Sequence, residues 1–159
     1  EAISAIVSKK AVKLYEDFNV FTKAELEARL EIEYEAYSKA INIEAKTMLN
    51  MAGKSLLPAI MKYSGDLAKS IKAVEPEEET KILEKIVKLH NLARKSFHKL
   101  DEGVKEVSAI ADIEKKAFAY HRQIVPIMKD LRVFVDELEM LVDKEYWPMP
   151  SYGDLIFEI

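Results

Sequence analysis

Between Leu26 and Ala52 the apolar residues Leu26, Leu30, Tyr34, Tyr37, Ile41, Ala45, Met48 and Ala52 follow one another in repeating steps of four, four and three. Such a pattern averages about 3.67 residues per turn, the spacing that keeps a stripe nearly straight along a long helix. A stripe of that length has to be covered by other helices laid along it, so the pattern predicts an all-α molecule. Thr22 followed by Glu25 forms a capping-box pattern at its start, with Phe21 and Leu26 placed for a hydrophobic staple across it. Only 4 glycines and 5 prolines interrupt 159 residues, and no strand pattern or useful internal repeat competes with the helical reading.

Three further segments carry helical spacing. Ile3, Val7, Ala11, Leu14 and Phe18 predict a modest first helix from Ala2 to Phe18. After Gly53 and Pro58 the apolar residues Leu56, Leu57, Ile60, Met61, Leu67 and Ile71 continue the second helix, which predicts a kink near Pro58 and an end near Lys72. Pro76 with Glu77, Glu78 and Glu79 marks a helix start, since proline suits the first turn and acids complement the positive end of the helix dipole. This third helix runs through Ile82, Ile86, Leu89, Ala93, Phe97, Leu100, Val104 and Val107, with Gly103 a weak point and a break between Ala109 and Asp112. The fourth shows a heptad, Ile113, Ala117, Tyr120, Ile124, Ile127, Leu131, Phe134, Leu138 and Leu141, kinked at Pro126. The expectation is one domain over residues 1–159, an elongated up-and-down bundle of three long helices plus a shorter N-terminal helix. At about 1.5 Å per residue over about 30 residues it would be about 45 Å long. The stripe from Leu26 to Ala52 is expected to face the heptad of the fourth helix.

Residues 146–159 are different. Pro148 and Pro150 cannot continue a helix and push their predecessors toward extended backbone, so the chain is expected to leave its helix near Tyr146 and run extended. Trp147, Tyr152, Leu155, Ile156 and Phe157 nevertheless give this tail a large apolar surface that a solvated terminus has no use for. Trp147, Pro148, Pro150, Tyr152, Leu155, Ile156 and Phe157 are therefore candidate docking residues, expected to lie along an apolar groove of this domain or a neighbour.

The chemistry available elsewhere is sparse. A net charge of -4 and the lack of a basic stripe argue against nucleic acid as a partner. No apolar run approaches the roughly 20 residues needed to span a bilayer, so no membrane role is expected. A dimetal carboxylate site needs Glu-x-x-His on two helices, but Val87, Lys95 and Phe118 stand three residues before His90, His98 and His121. His90 and His98 read as surface residues. The four glycines are isolated, so no phosphate-binding loop exists, and no serine sits in a nucleophile elbow. Lys9, Lys10 and Lys13 read as a solvated face, and Asn42, Glu44 and Lys46 as polar positions beside an apolar stripe. Arg132 and Asp136 are spaced for an ion pair along one helix face, with an inter-subunit contact as the functional alternative. No catalytic, cofactor-binding or metal-ligating residue is assigned.

Two strings carry a resemblance. Ile41-Asn42-Ile43-Glu44-Ala45-Lys46-Thr47-Met48-Leu49-Asn50-Met51-Ala52, continuing to Leu57-Pro58-Ala59-Ile60, resembles the C-terminal region of type III glutamine synthetases. Val125-Pro126-Ile127-Met128, Leu131-Arg132, Asp136-Glu137-Leu138-Glu139 and Trp147-Pro148-Met149-Pro150-Ser151-Tyr152-Gly153-Asp154-Leu155-Ile156-Phe157 resemble that family's closing sequence. Leu14-Tyr15 through Thr22 to Glu25 fits as well, so the likeness covers most of the chain; it is weakest from Glu75 to Ala111, and Asn50 departs from it by standing where an acid is expected. The resemblance implies a cytoplasmic parent enzyme that ligates ammonia to glutamate with ATP and a divalent metal (Mg or Mn), in a ring-shaped homo-oligomer. It also implies that the nucleotide, metal and glutamate sites belong to a catalytic region preceding this one. The chain begins at Glu1 with helical pattern already under way at Ile3, and is expected to be the non-catalytic C-terminal domain of such an enzyme. Its implied partners are its own catalytic domain and neighbouring subunits, and its implied role is architectural. A free-standing helical interaction module is the alternative.

Overall fold

In the computed structural model residues 2–74, 76–150 and 152–157 are described, without the side chains of Tyr152 and Gly153, and every regular element among them is helical. The first segment is not one helix. Residues Ile3–Val7 form a tight 3-10 turn, Ser8 is extended, and its hydroxyl accepts a hydrogen bond from the Ala11 N–H (3.3 Å) at the start of α1, Lys9–Asp17. A serine gains more by capping than by sitting inside a helix, which is why the periodicity alone overran this break. α1 ends in a Schellman arrangement: Asn19 takes a positive φ of 52°, Val20 N–H donates to the Tyr15 carbonyl and Asn19 N–H to that of Glu16.

Thr22 opens α2, Lys23–Met51, with both halves of the capping box formed. Thr22 N–H donates to Glu25 Oε2 at 2.7 Å, and the Glu25 N–H donates to Thr22 Oγ1 at 3.3 Å. The Thr22 N–H and the Thr22 hydroxyl, which donates to the same Oε2 at 2.8 Å, hold the Glu25 carboxyl below the ordinary carboxylate range, helped by Arg29. α2 passes through a π-helical turn, Ala52–Leu56, into α3, Leu57–Val74. α4 covers Glu77–Ser108, and α5, Ile113–Ala119, passes through a second π-helical turn, Tyr120–Ile124, into α6, Val125–Glu139. Asp112 caps α5 by accepting from the Lys115 N–H at 2.8 Å.

Both π turns end just before a proline. Leu57 N–H reaches back five residues to the Ala52 carbonyl and Val125 N–H to that of Tyr120, and Pro58 and Pro126 follow directly. A proline supplies no N–H and its ring collides with the carbonyl four residues earlier, so the widened turn is how each helix takes in its proline without ending. The kinks expected at Pro58 and Pro126 thus take this specific form.

Ile60, Ile86, Leu100, Ile124, Leu131 and Leu138 are fully buried in one core drawn from α3, α4 and the α5–α6 segment. The stripe of α2 faces inward as expected, with Leu26, Tyr34, Ala45 and Ala52 buried. Of the heptad segment expected to face it, α5 and the second π turn lie along α2, while α6 packs most extensively on α4. Gly103 lies where α4 meets that segment, opposite Ile124 and Ile127. A Cβ there would stand 3.1 Å from Ile124 Cδ1, so the missing side chain lets α4 and the α5–α6 segment approach closely.

The end of α6 also differs. The helix stops at Glu139, because Val142 turns into the core and Asp143 accepts from the Glu145 N–H (2.8 Å), starting a new turn that Tyr146 and Trp147 N–H groups complete by donating to the Asp143 carbonyl. Nor is the tail extended throughout: α7, Tyr152–Phe157, is a short helix. Once Pro150 is passed nothing in the sequence forbids helix, so the two prolines redirect the chain over a few residues only.

Candidate functional site

The turn after α6 is tied down to α3. Tyr146 Oη donates to Asp66 Oδ2 at 3.0 Å and its ring meets Tyr63 edge-on at 5.3 Å between centroids. Lys69 and Tyr146 together hold the Asp66 carboxyl below its ordinary range, and the same bond pushes the Tyr146 phenol up. This anchor carries Trp147 and Met149 to the mouth of a groove of about 590 Å³ that runs between α2 with its π turn and α6. Met48, Met51 and Leu56 form one wall, Met128, Leu131 and Val135 the other. Glu44, Arg132, Asp136 and Glu139 rim it.

Two features make this groove a site. Trp147 is half-buried and its indole Nε1, fully enclosed, has no acceptor among the described residues. A buried donor left unpaired costs free energy comparable to a lost hydrogen bond. Among its lining residues Ile43 and Met51 are exposed large apolar side chains. Methionine walls adapt to the shape of what they cover.

The residues singled out in the sequence fall into three groups here. Trp147 lies at the groove mouth, and Arg132 and Asp136 share its rim, paired through Nε and Oδ2 at 3.3 Å. Both are largely exposed, so the pair adds little stability. Pro148 and Pro150 are exposed and connect the groove to α7. Leu155, Ile156 and Phe157 are 67%, 65% and 81% exposed on α7 and do not enter this groove, while the Tyr152 side chain lies outside the described residues. The groove methionines Met51, Met128 and Met149 were not singled out, because on a helix they read as core or surface filler until the facing wall is known.

His90 corrects an expectation. It is only 7% exposed, between α3 and α4, and its Nε2 is enclosed without a partner among the described residues. Burial, with Arg94 adding to it, lowers its pKa below the ordinary histidine range. Tyr34 and Tyr37 behave as packing residues with polar tips: Tyr34 Oη donates to Glu114 Oε1 (3.0 Å), and Tyr37 Oη lies 3.2 Å from His121 Nδ1. Among the described residues no group of three or more His, Cys, Asp or Glu side chains converges to hold a metal ion, and no helix is long and apolar enough to cross a membrane.

Residues 1–75 match the family model described as the glutamine synthetase C-terminal domain. The type-3 glutamine synthetase of Dictyostelium discoideum is 29% identical over 168 residues, covering 99% of this chain and 23% of that protein. A glutamine synthetase of Butyrivibrio fibrisolvens is 31% identical over 160 residues, 96% of this chain and 23% of that protein. The chain is a homologue of the C-terminal domain of glutamine synthetases. A glutamine synthetase of Bacteroides fragilis (strain YCH46) is similar as well, 28% identical over 149 residues, which is 87% of this chain and 20% of that protein. This glutamine synthetase homologue thus spans less than a quarter of the length of the curated relatives it matches. Both stretches that carried the resemblance in the sequence, Ile41–Ile60 and Val125–Phe157, border the groove: the first supplies its α2 wall, the second its α6 wall and its mouth.

Proposed function

We propose that this chain is the non-catalytic C-terminal helical domain of an enzyme that makes glutamine from glutamate, ammonia and ATP, and that its role there is structural. The elongated up-and-down arrangement of three long helices, with the shorter N-terminal helix beside them, is the scaffold. The groove face is the contact, and residues 146–159 are its docking tail. The observation that carries this reading is the apolar groove between α2 and α6, lined by exposed Ile43 and Met51 with Met48, Met128 and Trp147. A face with that much apolar surface is suited to burial against protein.

Among the described residues no group of three or more His, Cys, Asp or Glu side chains is placed to hold the divalent ion of the parent, Mg or Mn, and ATP is assigned with it to the catalytic region. The carboxylates of the groove rim, Glu44, Asp136 and Glu139, do not converge on a common point, and Arg132 neutralises one of them. Those groups belong to the catalytic region in this reading, which also places the parent in the cytoplasm, as a homo-oligomer, with its own catalytic domain and neighbouring subunits as the partners of this domain. The test is removal of the domain from the full-length enzyme. Sedimentation should show loss of the native oligomer or of its thermal stability, and the isolated domain should form no glutamine. A truncated parent with an unchanged oligomer and unchanged stability would sink the structural role.

A further inference from the structure

Two stripes run along α2. Leu26, Tyr34 and Ala45 of the first are buried in the bundle. Ile32, Ala36, Ala40, Ile43, Thr47 and Met51 form a second, again in steps of four and three, and every one of them is exposed. At about 1.5 Å per residue this second stripe is about 28 Å long. It holds no charged side chain, whereas the other exposed residues from Glu31 to Asn50 are Glu31, Glu33, Glu35, Lys39, Glu44, Lys46 and Asn50. Ile32 and Ile43, 63% and 65% exposed, stand eleven residues apart, which is three turns on one face. A β-branched residue is a poorer helix former than the Ala, Glu and Lys around it and gains nothing in water, so this face has a use besides solvation.

We infer that this stripe packs against the same stripe of a second copy, the two α2 helices lying parallel about a two-fold axis. The inference deepens the structural reading and rests on it, since Ile43, Thr47 and Met51 also line the groove, and it names the neighbour. Flanking charges select both the partner and the orientation. Helical spacing puts Lys39 and Lys46 along one edge of the stripe and Glu33 and Glu44 along the other. In a parallel pair the two-fold axis lays the basic edge of each helix beside the acidic edge of its partner, so the match is made twice; in an antiparallel pair like charges would meet. These charges are available for it. Among the described residues Glu33, Glu44 and Lys46 form no ion pair within the chain, and Lys39 holds only Glu35, at 2.7 Å in a largely exposed pair that adds little. Ala36 and Ala40 let two helix axes come close, while Ile32, Ile43 and Met51 supply apolar area. One helix face is a small contact beside the roughly 1,200–2,000 Å² of a stable pair, so the test traps it covalently.

The test introduces Ala36→Cys, Ile43→Cys or Thr47→Cys, one at a time, into the full-length protein. Each variant is oxidised with copper phenanthroline, and disulfide-linked dimer is read on a non-reducing gel against protein without the introduced cysteine. About a parallel two-fold axis each of these positions faces its own equivalent, so all three should link. Lys39→Glu should cut the yield at least tenfold, and Lys39→Glu combined with Glu44→Lys should restore it; both positions are exposed, and thermal melting checks that the variants fold. Linking at one position alone would mean an antiparallel pair, and an undiminished yield in Lys39→Glu would mean that charge does not select the partner; either overturns the inference. If no position links while Met51 is shielded from solvent oxidants in the assembly, another surface covers the stripe: the pairing is wrong and the structural reading stands. If no position links and Met51 is freely oxidised in the assembly, both fall.

Discussion

Glycines show most directly how single residues set the packing. At Gly65 an added Cβ would meet nothing within 4 Å, so Gly65→Ala should raise stability by about 0.5–1 kcal/mol, the helix-interior cost of glycine. At Gly53 the same atom would stand 3.0 Å from Phe97 Cζ, so Gly53→Ala should lower stability or leave it unchanged. Urea unfolding of the two variants checks both signs. His90 makes a second residue-scale prediction. Its pKa in the fold lies below that of the unfolded chain, so its contribution is complete above about pH 6.5 and is lost as pH falls through that value toward the folded pKa. Unfolding measured from pH 8 to pH 5 should show stability falling, and His90→Leu should flatten that slope; an equal slope in the variant would mean that other groups cause it. The burial of His90 was not legible in the sequence. It occupies the position next to Leu89 on α4, and only the arrival of α3 decides that a residue there is covered.

At the scale of elements, the sequence specified helices and their breaks well wherever local chemistry acts. The capping box at Thr22, the start at Pro76 and the break from Ala109 to Asp112 all rest on interactions within one turn, and the structure has helix boundaries at each. What depended on distant residues was not legible. Ser8 could sit in a helix or cap one, the last long helix ends at Glu139 because Val142 finds the core, and α6 packs more on α4 than on α2, with Gly103 leaving room for Ile124. The groove has the same character, since its walls come from segments some 80 residues apart in sequence. Trp147, Arg132 and Asp136 could be named in advance, but that they share one groove with Met51 and Met128 could not. The buried heptad gives the element-scale prediction. Leu131→Ala and Leu138→Ala should each cost roughly 2–5 kcal/mol, the range for a buried leucine, whereas Leu155→Ala on exposed α7 should cost under about 0.5 kcal/mol in the isolated chain. Denaturant melts of the three variants separate core from tail.

For the whole molecule, the core is continuous from α3 through α4 to α6, yet the groove face beside it remains apolar and partly exposed. That combination supports a domain whose surface is completed by the rest of a larger protein. The most direct measurement is oxidation of individual methionines, read by mass spectrometry, in the isolated chain and in the full-length assembly. Met51 and Met149 at the groove should oxidise readily in the isolated chain and be protected at least several-fold in the assembly. Equal oxidation of both residues in the two preparations would mean that the groove face stays open to solvent, and would contradict the account.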